Sequence, residues 1–235
     1  MSKKKLLSLA LIVIMIAILS FSTLAWFTDT DSATNDFNIG GAGTGKPEDI
    51  FDVEVKENVD GKEEPVDEMK FVNVLPGDNH KKEAFVSNTG SYEQYIRVTM
   101  TITDWKLIQN IVTINMDDDF DTNWKISSTG VDVDDQGNLI ASNDSSVNAN
   151  GELVVILFLD KKLTVGESVQ IMDAVSISTK ATQNDFIDVG FADGFQIKIE
   201  ADAAQTKNIL DSYGTVEWQN AENTFKALVA GQAAP

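Results

Sequence analysis

The chain has 235 residues, with 18 basic and 37 acidic side chains, a formal net charge of −19, no cysteine and one histidine. So acidic a chain lacks the clustered Lys and Arg that bind nucleic-acid phosphates or anionic lipid. It has no disulfide to staple its core, and one histidine rules out a His-x-x-x-His zinc helix. A hydrophobic content of 43% is ordinary for a folded domain and excludes disorder throughout.

The first element is a leader. Lys3, Lys4 and Lys5 precede an apolar run from Leu6 to Leu19, broken only by Ser8. Polar Ser20, Ser22 and Thr23 thin the second half, and small residues stand at −3 and −1 of a break after Ala25. This is the pattern of a secretory signal peptide over 1–25, cut between Ala25 and Trp26. Leu6 to Ala25 also has the length of a membrane span, roughly 20 residues, so an uncleaved chain would stay tethered to the membrane. Removing the leader takes three lysines and no acid, leaving 15 basic against 37 acidic residues and a net charge of −22. Such a surface favours solubility, cations and basic partners.

Residues 26–47 are polar and end in Gly40, Gly41, Gly43, Gly45 and Pro47, the composition of a flexible arm. Trp26, Phe27 and Phe37 are unusual at the head of such an arm. From 48 to 235 we expect one β-sandwich domain. Phe51, Val53 and Val55 alternate with Asp52, Glu54 and Lys56, a strand by period two. Residues 57–68 are charged and read as a loop. In Gln94 to Asp104, Ile96, Val98, Met100 and Ile102 point one way, and Arg97, Thr99, Thr101 and Thr103 the other, as in a sheet with one wet face.

The run Leu153-Val154-Val155-Ile156-Leu157-Phe158-Leu159, within Gly151 to Asp160, suits a central strand covered on both faces. Val169, Ile171, Val175 and Ile177 share a parity that Asp173 interrupts, the mark of a bulge. Phe195, Ile197, Ile199 and Ala201 form a late strand. Turn signals separate these runs, among them Pro76-Gly77-Asp78, Asn88-Thr89-Gly90, Asp135-Gln136-Gly137-Asn138 and Val165-Gly166-Glu167. Many strands spaced by turns, without helices between them, predict an all-β fold, an antiparallel sandwich or jelly roll. Ala221 to Val229, with Phe225, Leu228 and Val229 at helical spacing, predicts a short C-terminal helix.

Two segments carry a family resemblance. The phrase LAWFTDTDSATNDFNIG, Leu24 to Gly40, with its aromatic-Thr-Asp unit Trp26-Phe27-Thr28-Asp29, resembles the processing region of exported proteins cut by the SipW-type signal peptidase of Firmicutes. That group includes the biofilm-fibre TasA and camelysin-like families. More loosely, Leu75 to Ile102 is similar to their succession of a Pro-Gly-Asp turn, a strand, an Asn-x-Gly turn and a second strand; Asn88 and Gly90 suit backbone of positive φ. The resemblance implies a jelly-roll-like β-sandwich and fibre growth by strand donation, with Phe27 to Ile39 as the candidate donor strand, anchored by Phe27, Phe37 and Ile39.

Catalytic machinery is hard to find. His80 lies in a turn beside Lys81 and Lys82, and with Glu83 supplies two metal ligands where catalytic zinc takes three. No Gly-x-Ser-x-Gly elbow is present. Camelysin-like relatives are described as metalloproteases, an activity this sequence gives no machinery for. Hard cations are better candidates. Asp132, Asp134 and Asn138 surround a Gly as in the start of an EF-hand loop, although Gln136 replaces an acid and Asn143 stands where a bidentate Glu belongs. Asp117, Asp119 and Asp121 crowd carboxylates that calcium would relieve. Both segments also read as solvated turns.

The sequence thus points to a secreted, non-enzymatic protein of the extracellular matrix or cell surface. Its partners would be further copies of itself, other matrix or anchoring proteins, and the processing peptidase. Nucleic acid is excluded, and the membrane enters only through the uncleaved leader. The competing classes are a camelysin-type secreted metalloprotease and a monomeric surface module for calcium or glycans. N-terminal sequencing of exported material should return Trp26 or Phe27 as the first residue. An intact Met1 or Ser2 terminus in the membrane fraction would overturn both cleavage and assembly.

Overall fold

The computed structural model describes residues 28–31, 52–59, 62–65, 68–71, 75–142, 144–182, 194–206 and 217–229. Thirteen strands are described: β1 Thr28–Asp31, β2 Val53–Val59, β3 Lys62–Pro65, β4 Glu68–Phe71, β5 Asn79–Asn88, β6 Gln94–Ile102, β7 Val112–Met116, β8 Trp124–Ile126, β9 Val131–Val133, β10 Leu139–Ala141, β11 Leu153–Leu159, β12 Ser168–Ile177 and β13 Phe195–Gln205. Three helices accompany them: α1 Trp105–Ile108, α2 Phe120–Asn123 and α3 Glu217–Val229. Among the described residues no helix is long and apolar enough to cross a membrane.

The strands make two antiparallel sheets and a small hairpin. The first sheet runs β1-β13-β6-β11-β8, with β4 also pairing with β13; the second runs β3-β2-β5-β12-β7; β9 and β10 pair with each other. Alternation decides which residues meet between the sheets. From β6, Ile96, Val98, Met100 and Ile102 are fully buried; from β11, Leu153, Val155, Leu157 and Leu159; from β5 and β12, Ala84, Val86, Ile171 and Val175. One continuous cluster of these side chains forms the core of an antiparallel, jelly-roll-like β-sandwich.

The apolar run of β11 is central, between β6 and β8. Its second face is covered by α3, which lays Trp218, Ala221 and Phe225 on Tyr95, Ile156, Phe158 and Ala204. The guanidinium of Arg97 lies 4.8 Å from the Phe225 ring centre and donates from Nε to Asp202 Oδ2 at 2.8 Å. A cation held by a carboxylate and an aromatic face can be covered by a helix at little electrostatic cost. Asp160 Oδ1 accepts from the Trp218 amide near the start of α3 (3.3 Å).

Several expectations change. The segment 57–68 is not one loop: β2 runs to Val59 and β3 follows as a hairpin partner, with Glu57 opposite Glu64. β3 is polar because it is an outer strand, where charged residues blunt an exposed edge. β6 stops at Ile102, because Asp104 takes φ 55 and starts α1. The terminal helix begins at Glu217 rather than Ala221. The bulge in β12 falls where Asp173 breaks parity, with register shifts against both β5 and β7.

Asn88 corrects another reading. Neither it nor Gly90 has positive φ. The turn needs the asparagine side chain instead, because β5 and β6 belong to different sheets and the chain must cross between them. Asn88 is 1% exposed. Its Nδ2 donates to the carbonyls of Tyr92 (2.8 Å) and Leu163 (2.9 Å), and its Oδ1 accepts from the Gly90 amide (3.0 Å) and Gln94 Nε2 (2.8 Å). Its amide donates to Glu167 O, and its carbonyl accepts from Gly166. Replacing Asn88 by Ala strands several buried polar groups, each worth about 1–3 kcal/mol. Asn88→Ala should therefore cost about 3 kcal/mol or more, read as a lower urea midpoint with unchanged slope.

Candidate functional site

Two regions carry the sequence candidates: the outer edge of β13, and the acidic loops beside the second sheet.

Along one side β13 pairs with the whole of β6, Ile197↔Ile102 to Gln205↔Gln94. Along the other it is met by two short strands. β4 covers Phe195 to Lys198, and β1 covers Ala201 to Ala204, in the register Thr28↔Ala204 to Asp31↔Ala201. Ile199 and Glu200 lie between the two seats. β4 is held by side chains, since Phe71 stacks on Phe195 with ring centres 4.7 Å apart and planes at 9°. The His80 ring meets Phe71 edge-on at 6.0 Å, and its Nε2 lies 3.6 Å from Asp78 Oδ2. The sole histidine thus supports an aromatic contact rather than sitting within a described group of ligands.

β1 has its place in this sheet although Thr28–Asp31 falls inside the segment read as a flexible arm. The other members of that reading, the cleavage pair Ala25 and Trp26 and the donor anchors Phe27, Phe37 and Ile39, lie outside the described residues, as does Asn143.

The acidic candidates fall into two separate places. Asp132 is exposed on β9, while Asp134 opens the β9–β10 turn. Both oxygens of Asp134 are engaged: Oδ1 accepts from the Gln136 and Asn138 amides (2.9 and 2.8 Å), and Oδ2 from Asn138 Nδ2 (2.9 Å). Those donors, the Asn138 amide first, hold the Asp134 carboxyl below its usual range. Asn138 Oδ1 in turn accepts from Asn115 Nδ2 of β7 at 2.8 Å, and Asn115 Oδ1 accepts from Ser176 Oγ of β12 at 3.0 Å. Gly137 takes φ 77 at the corner. In this arrangement Asp134 and Asn138 tie a hairpin to the second sheet.

Asp117 follows β7, its Oδ2 accepting from the Asp119 amide at 3.2 Å. Asp119 and Asp121 are exposed. Among the described residues no three His, Cys, Asp or Glu side chains converge as a metal-binding group.

A group that sequence reading missed lies at the β12 bulge. An open groove of about 480 Å³ is lined by Asn79, Lys81, Glu83, Asp173 and Ala174. Burial raises the Asp173 carboxyl above its ordinary range, reinforced by the charges of Asp118 and Glu83. Asp117 is raised likewise, by burial first and then by Asp173, Asp119 and Asp118. Glu83 moves the other way, because Lys81 Nζ donates to it at 2.6 Å. The parity break at Asp173 was the one available signal. Its neighbours come from β5, some ninety residues earlier, which no local pattern could reveal.

Comparison with protein-family models, curated proteins and solved structures finds no match to this chain.

A carboxyl raised in the folded state binds its proton more tightly there than when unfolded. Asp117 and Asp173 therefore cost stability at neutral pH, and that cost is relieved as pH falls through their raised values. Asp173→Asn keeps an acceptor for Gln170 Nε2, which donates to Asp173 Oδ1, while removing the charge. It should stabilise the protein at pH 7 by about 0.5 kcal/mol, and the gain should shrink as pH falls through the raised Asp173 pKa. Melting curves of both forms across that range check this.

Proposed function

We propose that this is an exported structural protein that assembles into extracellular fibres by donating its N-terminal arm to a neighbouring copy once the leader is removed. What supports the reading is the seat of β1: the outer edge of β13 takes four residues of the arm as its outer partner there. Main-chain hydrogen bonds make that contact, so the same seat can accept the arm of another copy in the same register. Repeated head to tail, such a contact does not close and yields a filament. While the leader remains attached, the arm is tethered to the membrane segment, and processing by a SipW-type peptidase would release it. The fibre would lie in the matrix or on the cell surface, with other matrix or anchoring proteins as further partners. The reading requires no catalytic residue, and calcium at the Asp117 and Asp132 loops is not part of it.

Deleting residues 26–39 from the mature protein should abolish filaments in negative-stain micrographs while circular dichroism keeps its β signal. Phe37→Asp should weaken assembly by setting a charge where the proposed donor strand would bury an apolar anchor. Filaments of normal morphology from the truncated protein would exclude the arm as donor. Loss of the β signal would instead assign residues 26–39 to the protein's own core.

A further inference from the structure

We propose that Asn150 is a site of spontaneous covalent modification, losing its side-chain amide to attack by the Gly151 backbone nitrogen at a rate set by the Asn148 side chain. The inference does not depend on the fibre reading.

Asn150 is followed by glycine, which is true of no other asparagine in the sequence. The local fold accounts for the pair. Val147 bridges Leu153, and between them the Asn148 amide donates to Glu152 O (2.9 Å) and the Gly151 amide to Asn148 O (3.0 Å). Neither Ala149 nor Asn150 has positive φ, so Asn148 to Gly151 make a type I turn. Gly151 then takes φ 83, the left-handed step that closes a three-residue hairpin loop and favours glycine. Asn150 is exposed, and among the described residues its side chain has no hydrogen-bond partner. Apart from its chain neighbours, nothing lies within 4 Å of where a Gly151 Cβ would sit. The Gly151 nitrogen is therefore shielded neither by a side chain of its own nor by packing.

The reaction balances with water as its one co-reactant, and nothing is oxidised or reduced. The Gly151 nitrogen gives up its proton and bonds to Asn150 Cγ. The Cγ–Nδ2 bond breaks, and ammonia leaves carrying that proton. Water then opens the cyclic imide at either carbonyl. One opening leaves an aspartate at position 150; the other leaves an isoaspartate, whose main chain runs through the side-chain carbon. Asparagine counts among the thermolabile residues. Both products place a new carboxylate two residues from Glu152, and the isoaspartate adds a methylene to the backbone leading into β11.

The turn that creates the site also restrains it. At the third position of a type I turn ψ is about 0°, which turns the Gly151 nitrogen toward the Asn150 amide and away from Cγ. Ring closure requires Asn150 to leave the turn and the Gly151–Asn148 bond to break. Asn148 opposes that motion. Its Oδ1 accepts from the amides of Asn150 (2.9 Å) and Glu152 (3.1 Å), and its Nδ2 donates to Glu152 Oε2 (2.7 Å).

The whole chain, aged in warm, mildly alkaline buffer and then digested, tests this. Mass spectrometry reads conversion at each asparagine, and an isoaspartate-specific methyltransferase reads the second product. Asn150 should convert ahead of Asn88, Asn115, Asn138 and Asn148, and Asn150→Gln should remove the isoaspartate formed in the Asn148–Glu152 loop. Asn148→Ala should speed conversion at Asn150 about tenfold, the worth of one or two hydrogen bonds, and leave Asn88 and Asn138 unchanged. Should those two also quicken, Glu152→Ala decides; it removes only the partner of Asn148 Nδ2 and should speed Asn150 about threefold. Wild-type chain unfolded in urea should convert at Asn150 at least as fast as folded Asn148→Ala. Another of the named asparagines reacting first, equal rates in folded and unfolded chain, or an unchanged Asn150 rate in both loop variants would each overturn the proposal.

Discussion

The two sheets are joined where β5 ends and β6 begins, at a crossing whose Asn88, Gly90 and Gln94 are buried while Thr89, Ser91 and Tyr92 face water. A backbone that leaves one sheet for another gives up its ladder partners on both sides. Buried, each lost partner costs as much as a broken hydrogen bond. Asn88 supplies replacements from a single side chain, offering two donors and an acceptor to Tyr92, Leu163, Gly90 and Gln94. The same residue ties in the 163–167 loop through Gly166 and Glu167. In a chain without cysteine, this network does at one pole what a disulfide does in many secreted sandwiches. It lies at the end of the sandwich where β1 begins and β13 finishes.

The first sheet is covered on both faces, which its sequence anticipates. Leu153 to Leu159 has no polar residue because odd positions face the second sheet and Ile156 and Phe158 face α3. The neighbouring strands are mixed on that outer face, where Arg97 and Asp202 lie beside Tyr95 and Ala204. Burying that ion pair alone would be costly. The Phe225 ring over the guanidinium and the half-exposed flank of Arg97 keep the cost down. Along the second sheet Asn115, Ser176, Asn138 and Asp134 form a polar ladder, and Lys81, Glu83 and Asp173 a charged group. Each outer face is thus written in the residue types of its strands.

The strands with strict alternation were legible in the sequence. β6, β11, β12 with its bulge and β13 lie within a few residues of their predicted places, because burial between two sheets imposes period two on every strand that crosses the core. The short elements were not. α1 and α2 are single turns, and β8 to β10 have three residues each, too few for a period to show. β3 was hidden in a charged segment because an outer strand tolerates polar residues on both faces, and β4, four residues long, is too short for a period to show. For the candidate site, the acids of Asp117–Asp121 lie between β7 and the single turn α2, with Asp121 on that turn, and those of Asp132–Asn138 on β9 and its turn into β10. The groove at Asp173 depends on tertiary register, which composition does not carry. The asparagine of the Asn-x-Gly turn is legible as a turn residue, but its role rests on its side-chain amide rather than on backbone conformation.

The edge of β13 is the place where fold and proposed function meet, and its composition fits both. Ala201, Ala203 and Ala204 are small, so the strand lying against them is chosen by main-chain hydrogen bonding more than by side-chain fit. That permits one seat to receive the arm of its own chain or of another copy. Chain entropy favours the intramolecular arrangement, because the local concentration of a tethered strand is high. Intermolecular exchange then has to offer more than four pairs of ladder residues. The gap at Ile199 and Glu200, between the seats of β1 and β4, is where additional pairing would begin. Strong net negative charge acts in the same direction as the filled edge, since mutual repulsion keeps separate copies apart until the hydrogen bonds of a longer donated strand outweigh it. Under the proposed function, an acidic chain whose own arm fills the β13 edge would stay apart from its neighbours until a longer donated strand displaced that arm.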